Sequence, residues 1–533
     1  MHYEEKLADG LYWIGGDDMR LGQFEAVHPV PQGMSYSNYL ILDEKAVLMD
    51  TIDRAVEERF IDTLDHLLDG RALDYIVVQH VEPDHSASLG EVATRHPEAT
   101  IVCTGMAKRM IGQFFDEELA ARCQTVKEGD TLSIGVRTLE FHSAPMVHWP
   151  EVMVTYDAHD KVLFSADAFG MFGGLKGRLF DDEFAFETEY LPEARRYYAN
   201  IVGKYGDSTL ALLDKAAGLD IQMVCPLHGP VLRSYISQMV EKYRIWGAYE
   251  PEEQSVAVIY ASVYGGTRDV AEALAFKLRR RGVENVSIND LTIDDSSYAL
   301  SEVFRASNVV LASVTYNMGL FPRMATLLHD MAEHGVRARR FSYVQNGTWA
   351  PQAGKLMQTA VEGLEGCVQV GKMLTVKSRL KDEQDAQLDE LVEDIIASFG
   401  TPLPAVEPAG GKPAEAPAPA SKPAEAPAVA PAPTPAKAVQ QPAASPDAEP
   451  QDAAKPKPID PSLLKGLVPP PPTANPYGQR NVDNRVIEVW KCTYCGYEVE
   501  VPAGTDMSNF TCPVCLKVGL FKKIREKIMP AGQ

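Results

Sequence analysis

Apolar positions change their period along this chain, and the changes divide it. Up to about residue 250, short apolar runs of strand length (SNYLILD, AVLMD, YIVVQH) interleave with a stretch of helical period, VEERFIDTLDHLLDG. DTLSIGVRTLEFHSA and EVMVTYDAHDKVLFSAD then read as hairpins, and the mixture predicts an α/β sandwich with antiparallel sheets over residues 1–250. After YEPEEQ the segment SVAVIYASVYGGTRDVAEALAFKLRRRG predicts a buried strand, a turn and an amphipathic helix. NVSIND, NVVLASV and RFSYVQ repeat the alternation of strand and helix, so residues 254–400 predict a doubly wound parallel sheet. From 401 to 485 all periodicity ends in PAEAPAPASKPAEAPAVAPAPTPAKAV and its neighbours, which have almost no aromatic residue to anchor a core. This stretch is expected to be a disordered linker spanning on the order of 50 Å. The near-repeat GKPAEAPAPA/SKPAEAPAVA offers no apolar face for stacking and is not a solenoid. A small domain, 486–533, follows it.

Composition agrees with several folding units, on the order of three or four for 533 residues. Hydrophobic residues at 45% and charged residues at 23% are ordinary for a globular protein, and many of the 37 prolines gather in the linker. The net charge of −23 repels phosphate backbones and anionic lipid, so neither nucleic acid nor a membrane surface is an expected partner. No stretch reaches the ~18 apolar residues of a membrane span, and MHYEEKLADG lacks the basic and apolar regions of a signal peptide. A cytoplasmic location is expected. Of the 8 cysteines, Cys103, Cys123, Cys225 and Cys367 stand alone as expected buried small hydrophobes, while the rest form two CxxC pairs.

The strand YIVVQ runs directly into His80-Val81-Glu82-Pro83-Asp84-His85, which places four metal-ligand side chains within six positions. Alternate residues of an extended segment share a side, so His80, Glu82 and Asp84 are expected to converge while His85 turns toward a second ion. His148, Asp167 and His228 follow later apolar runs and precede turns, which makes them candidates for the remaining ligands. This order resembles the metallo-β-lactamase superfamily, with its usual HxHxDH changed to His80-x-Glu82-x-Asp84-His85. A carboxylate in place of an imidazole hardens the site and favours iron over zinc. With that change the chain resembles the flavodiiron proteins over residues 1 to 400. The resemblance implies one iron on His80, Glu82 and His148, a second on Asp84, His85 and His228, and Asp167 bridging them. In some members the residue at the position of His85 is not a ligand. His28 and Tyr197 are candidates for a surrounding layer, whereas His66 and His96 are read as helix or surface residues.

Ser262-Val263-Tyr264-Gly265-Gly266-Thr267 lies between a predicted strand and helix, where hydroxyls and backbone N–H groups suit a phosphate monoester. It is neither a Walker A loop nor a dinucleotide GxGxxG. It resembles the flavodoxin phosphate loop. Thr315-Tyr316-Asn317-Met318-Gly319 and Asn346-Gly347-Thr348-Trp349 fall where flavodoxins enclose the flavin ring, which implies FMN. Where the flavodiiron family usually has a loop like GSYGW, this chain has YVQNGTW.

Cys492, Cys495, Cys512 and Cys515 form two CxxC knuckles that suit a tetrahedral metal site. The wording CxxCGY and CPxC resembles rubredoxin in its compact form, implying one iron, with zinc as the alternative. Taken together, the resemblance is to flavodiiron proteins of the flavorubredoxin-like kind. It implies an oxidoreductase reducing O₂ to water, NO to N₂O, or both, with electrons passing from the rubredoxin-like centre through FMN to the diiron site. It also implies an NAD(P)H-dependent rubredoxin reductase-like donor and a homodimer or dimer of dimers. A zinc hydrolase and a pure electron carrier are the competing readings of the same residues.

Overall fold

The computed structural model describes residues 2–404, 485–493, 498–502, 507 and 521–529, which fall into two compact units, one within 1–424 and one within 425–533. Residues 405–484 of the expected linker lie outside the described residues, as do Cys495, Cys512 and Cys515.

The first domain is built on two sheets. One has seven strands in the order Glu5–Ala8, Leu11–Trp13, Tyr39–Leu42, Ala46–Met49, Tyr75–Val78, Thr100–Thr104 and Cys123–Val126. The other has five, Thr131–Ser133, Thr138–Ser143, Met153–Asp157, Val162–Phe164 and Met223–Cys225. The expectation of antiparallel sheets is corrected, because the last four strands of the larger sheet run parallel and the last pair of the smaller one does too. Helical crossovers separate them, beginning with Glu57–Leu68 between Ala46–Met49 and Tyr75–Val78, and a crossover returns the chain in the same direction. The parallel half matters for function, since it aims carboxyl ends of strands at one edge of the sandwich.

The second domain has the strand order Val286–Asp290, Glu253–Ala261, Ala306–Val314, Arg340–Asn346 and Val368–Gln369, all parallel, with Leu374–Val376 also on Arg340–Asn346. This is a doubly wound sheet whose order reverses beside Glu253–Ala261. Its two faces serve different cores. Ala257, Ile259 and Ala261 join the core of the first domain, while Val256, Val258 and Tyr260 pack under the helices Gly266–Arg280 and Asp385–Ser398. Alternation along one strand thus ties the two domains into a single body.

Two buried cation systems close that seam. Glu252 accepts hydrogen bonds from Arg195, Lys242 and Trp246. Arg339, 2% exposed, donates to the carbonyls of Tyr249 and Glu250 in the connector and of Val303 and Phe304 at the end of helix Ser296–Arg305. It thereby satisfies carbonyls that a helix C-terminus leaves unpaired. Cys103, Cys123 and Cys225 are buried and Cys367 is half-buried. The second unit is an antiparallel sheet of Glu498–Pro502, Arg485–Cys492 and Phe521–Met529, with Cys492 buried at a strand end.

Arg339→Leu leaves several carbonyls buried without donors and is expected to cost about 3 kcal/mol or more. Denaturant unfolding followed by tryptophan fluorescence checks this, because Trp246 lies in the same seam.

Candidate metal and flavin sites

The seven residues predicted for the iron pair all lie at one edge of the sandwich, and none is more than 9% exposed. His80, Glu82, His148 and Asp167 form one group, and Asp84, His85 and His228 form another, with the donor atoms of each group within 4.8 Å of one another. The expected convergence of Asp84 with His80 and Glu82 is corrected here. Strand alternation stops at Pro83, which opens a helical turn, Pro83–Ser86, and the turn carries Asp84 round to His85 and His228.

In the first group, Glu82 Oε2 lies 3.2 Å from His80 Nε2 and 3.0 Å from His148 Nε2. In the second, the His85 and His228 Nε2 atoms face each other at 3.0 Å, and Asp84 Oδ2 lies 3.2 Å from His228 Nε2. Asp167 reaches both groups, with Oδ2 3.1 Å from His148 Nε2 and Oδ1 3.1 Å from His85 Nε2.

A further layer orients these groups. His80 Nδ1 donates to Glu151 Oε1 at 2.8 Å, which leaves Nε2 to face the cluster, and the Val81 N–H donates to the same oxygen. Asp50, fully buried, accepts from the backbone N–H groups of Gln79 and His80. His228 Nδ1 donates to the Ser35 carbonyl at 2.8 Å. Trp149 sets its ring edge-on to His80 at 5.3 Å, with the exposed Phe114 stacked beyond it. Tyr197 is fully buried 5.7 Å from the His228 ring, its hydroxyl without a hydrogen-bond partner. Burial, and after it the neighbouring Glu82 carboxylate, push the Glu25 carboxyl up to about 7.

Glu151, Asp50, Ser35 and Glu25 were not singled out from sequence. Glu151 had a signal, as it follows His148-Trp149-Pro150, and Asp50 ends the AVLMD strand. Nothing local marks the other two.

The donor set fits a pair of cations. Both Asp84 oxygens, Asp167 Oδ1 and His85 Nδ1 are buried without hydrogen-bond partners, and buried polar atoms of this kind are normally paired, so their lone pairs suit cations. Without cations, protons carry the compensation. Burial opposes charge on His148, but Asp167 and Glu82 outweigh it and raise the imidazole to about 9, and His80 and His85 move the same way. Burial also opposes charge on Asp167, yet His85, His148 and His80 hold it well below the usual carboxylate range.

At the carboxyl ends of the second domain's strands, the predicted flavin loops come together as three neighbouring turns. Gly265, at φ +89, leads into helix Gly266–Arg280, and its N–H donates to Ser262 Oγ at 3.1 Å. The Ser262 N–H donates to Thr292 Oγ1, while Thr267 is buried. A Cβ on Gly266 would meet the Ser378 carbonyl at 2.0 Å, so that approach admits only glycine. Asn346 exchanges two hydrogen bonds with Ser378, and Ser378 Oγ lies 3.1 Å from Thr348 Oγ1. Thr315 Oγ1 accepts from the N–H groups of Gln352 and Ala353, and Tyr316 and Gly319 exchange backbone hydrogen bonds about Asn317 and Met318. Gly347 follows Asn346 in the third turn. Thr292 and Ser378 were not anticipated. Val263, Tyr264, Tyr316, Met318 and Trp349 are exposed, with Tyr264 at 99% and Trp349 at 83%; apolar surface gathered on these loops marks a binding face. Backbone donors at a helix N-terminus beside exposed aromatics fit a flavin mononucleotide.

Fold and cluster together define a two-metal protein of the metallo-β-lactamase type fused to a flavodoxin. Family comparison agrees: the ODP family beta lactamase matches residues 34–229 and Flavodoxin matches 258–390. An anaerobic nitric oxide reductase flavorubredoxin of Escherichia coli O1:K1 is 32% identical over 386 residues, covering 71% of this chain and 78% of the relative. Among solved structures, the rubredoxin oxygen:oxidoreductase of Desulfovibrio gigas superposes with TM-score 0.69 at 27% identity, covering 74% of this chain and 98% of that one. The flavodiiron protein of Giardia intestinalis gives 0.67 at 25%, covering 75% and 98%. The chain belongs to the flavodiiron protein family. It is an oxidoreductase with an FMN-binding flavodoxin domain and a diiron domain. Among the described residues, no helix is long and apolar enough to cross a membrane.

A pH dependence follows for the metal-free chain. His148 is raised from 6.5 to about 9, so the stability it contributes is complete below pH 6.5 and is lost as pH rises through about 9. Metal must displace those protons, so its binding strengthens over the same interval. Melting temperatures of metal-free protein are expected to fall from pH 6.5 to 9, with the increment on adding metal growing; a rising metal-free curve contradicts the assignment.

Proposed function

We propose that this chain reduces O₂ to water, NO to N₂O, or both, with electrons entering at a C-terminal four-cysteine iron centre and passing through FMN to the iron pair. The observation that carries this reading is the pair of buried donor groups with Asp167 reaching into each. His80, Glu82 and His148 would hold one iron, Asp84, His85 and His228 the other, and Asp167 would bridge them. Iron bound there supplies one-electron chemistry within reach of a diatomic molecule, and FMN supplies a store of two more electrons.

The protein's own part is positional. Glu151 fixes the tautomer and direction of His80, the Ser35 carbonyl does the same for His228, and Asp50 pins the backbone at Gln79 and His80. Ser262, Gly265, Gly266 and Thr267 would seat the FMN phosphate, and the turns at 315–319 and 346–349 would hold its ring, with Trp349 against it. Relatives named for nitric oxide reduction and for rubredoxin-dependent oxygen reduction support both oxidants.

Cys492, Cys495, Cys512 and Cys515 would hold the C-terminal iron, fed by an NAD(P)H-dependent rubredoxin reductase-like flavoprotein in the cytoplasm. We propose domain limits of 1–250, 254–400, 401–485 and 486–533, and a head-to-tail homodimer or dimer of dimers in which the flavin loops of one subunit face the iron pair of another. The exposed aromatics on those loops support such a contact.

Purified protein is expected to carry about three irons and one FMN per chain by metal analysis and flavin absorbance. After anaerobic reduction, separate timed additions of O₂ and NO should show the protein reoxidised by the gas it prefers; two zincs with no oxidant consumption would remove the reading. Cys512→Ser should abolish turnover driven through the reductase while sparing turnover with chemically reduced flavin. Equal losses in both assays would contradict the electron path.

A further inference from the structure

The ceiling of the metal cluster is a hairpin with little to support it. Gln23–Phe24 pairs with His28–Pro29 as a two-stranded sheet that joins neither large sheet, and so short a hairpin is marginal in water. Its turn is tight and costly. Glu25 and Ala26 sit at φ 50 and 57, and the Val27 N–H donates to the Phe24 carbonyl, a geometry that favours Asn-Gly. Left-handed backbone at two residues with side chains is strained. Yet the hairpin touches both donor groups: the Phe24 ring stands edge-on to His228 at 5.3 Å, and Glu25 faces Glu82. Something outside the hairpin must hold it.

Arg196 makes that contact. Its Nη2 donates to the Pro29 carbonyl at 3.0 Å, and its guanidinium lies between two rings, 4.4 Å from Phe172 and 4.2 Å from Tyr298. Phe172 in turn packs against Phe24 and His28. Nη1 donates to Ser297 Oγ at 3.1 Å, and Nε donates to Glu193. The side chain is 3% exposed, so its charge is held by these partners and not by water. Ser297 and Tyr298 open the helix Ser296–Arg305 of the flavodoxin domain. One planar fork therefore grips the ceiling of the cluster from one domain and is itself held by the other.

We infer that Arg196 is a positioning residue that fixes the hairpin at 23–29 over the metal cluster, and that this fixing depends on the flavodoxin domain of the same chain through Ser297 and Tyr298. The hairpin sets the room left above both donor groups, so its placement governs how a diatomic substrate enters. Only this effect on turnover rests on the function proposed above; the mechanical part concerns the chain with or without metal.

Hydrogen exchange of the full chain tests it, with Arg196→Lys, Arg196→Met and Ser297→Ala, each with and without metal. In Arg196→Met the amides of residues 23–28 should exchange about tenfold faster while strand Tyr75–Val78 and helix Ile236–Gly247 keep their protection. Arg196→Lys, which keeps the charge without the fork, should give partial rescue, and Ser297→Ala should loosen the same amides to a smaller extent. In the loaded enzyme KM for O₂ or NO should shift by more than kcat. Unchanged exchange in the hairpin would overturn the proposal, as would loosening spread evenly over both domains. A response to Arg196→Met with none to Ser297→Ala would overturn the dependence on the flavodoxin domain. If Arg196→Met does not fold, the lysine and Ser297 variants decide. Localised loosening in a chain that consumes neither gas would support the mechanical inference and remove only the functional reading.

Discussion

Seven ionisable side chains taken almost wholly out of water at one edge of a sandwich are the constraint from which the rest follows. Carboxylates and imidazoles in such a place are tolerated only when each finds compensating charge, whether from protons or from metal. The architecture meets that demand with rigid supports. The donors sit on the loops and the short helical turn that follow strands, and buried groups such as Glu151, Asp50 and the Ser35 carbonyl settle the direction of the rings. Because the supports come from segments on both sides of the sandwich and from the small sheet at Met34–Tyr36, the fold and the cluster specify each other.

The second domain applies the opposite tactic. Its ligand face is open, with backbone N–H groups at a helix N-terminus and large aromatics left in water. A site of fixed charge has to be buried before it works, whereas a flavin brings its own apolar surface and covers what the protein exposes. Close backbone approaches at Gly266 and Gly347 already shut that face to a side chain at those two positions.

Much of this was legible before any coordinates. Apolar runs ending in His, Asp or Glu located the cluster, because strand ends are where a sheet delivers side chains to an edge, and the switch of period after YEPEEQ located the doubly wound sheet. Where the reading failed, tertiary structure had intervened. Strand alternation alone puts Asp84 beside His80 and Glu82, whereas the family resemblance puts it with His85 and His228; the alternation breaks at Pro83, where the chain begins a helical turn. The parallel half of the larger sheet depended on crossovers that a list of strands does not reveal. Ser35, Glu25, Thr292 and Ser378 reach the sites across large sequence separations, and nothing in their local wording distinguishes them from ordinary surface residues.

The core shared between the sandwich and one face of the flavodoxin sheet also bears on synthesis. The ribosome releases the sandwich first, and the residues that complete its core arrive as late as Val361. At ordinary elongation rates the apolar flank around Tyr198, Tyr243 and Trp246 waits on the order of ten seconds for its covering. During that interval the nascent chain presents a surface of the kind that chaperones bind. A gene truncated between the two domains would make the wait permanent, which turns a matter of timing into one of solubility.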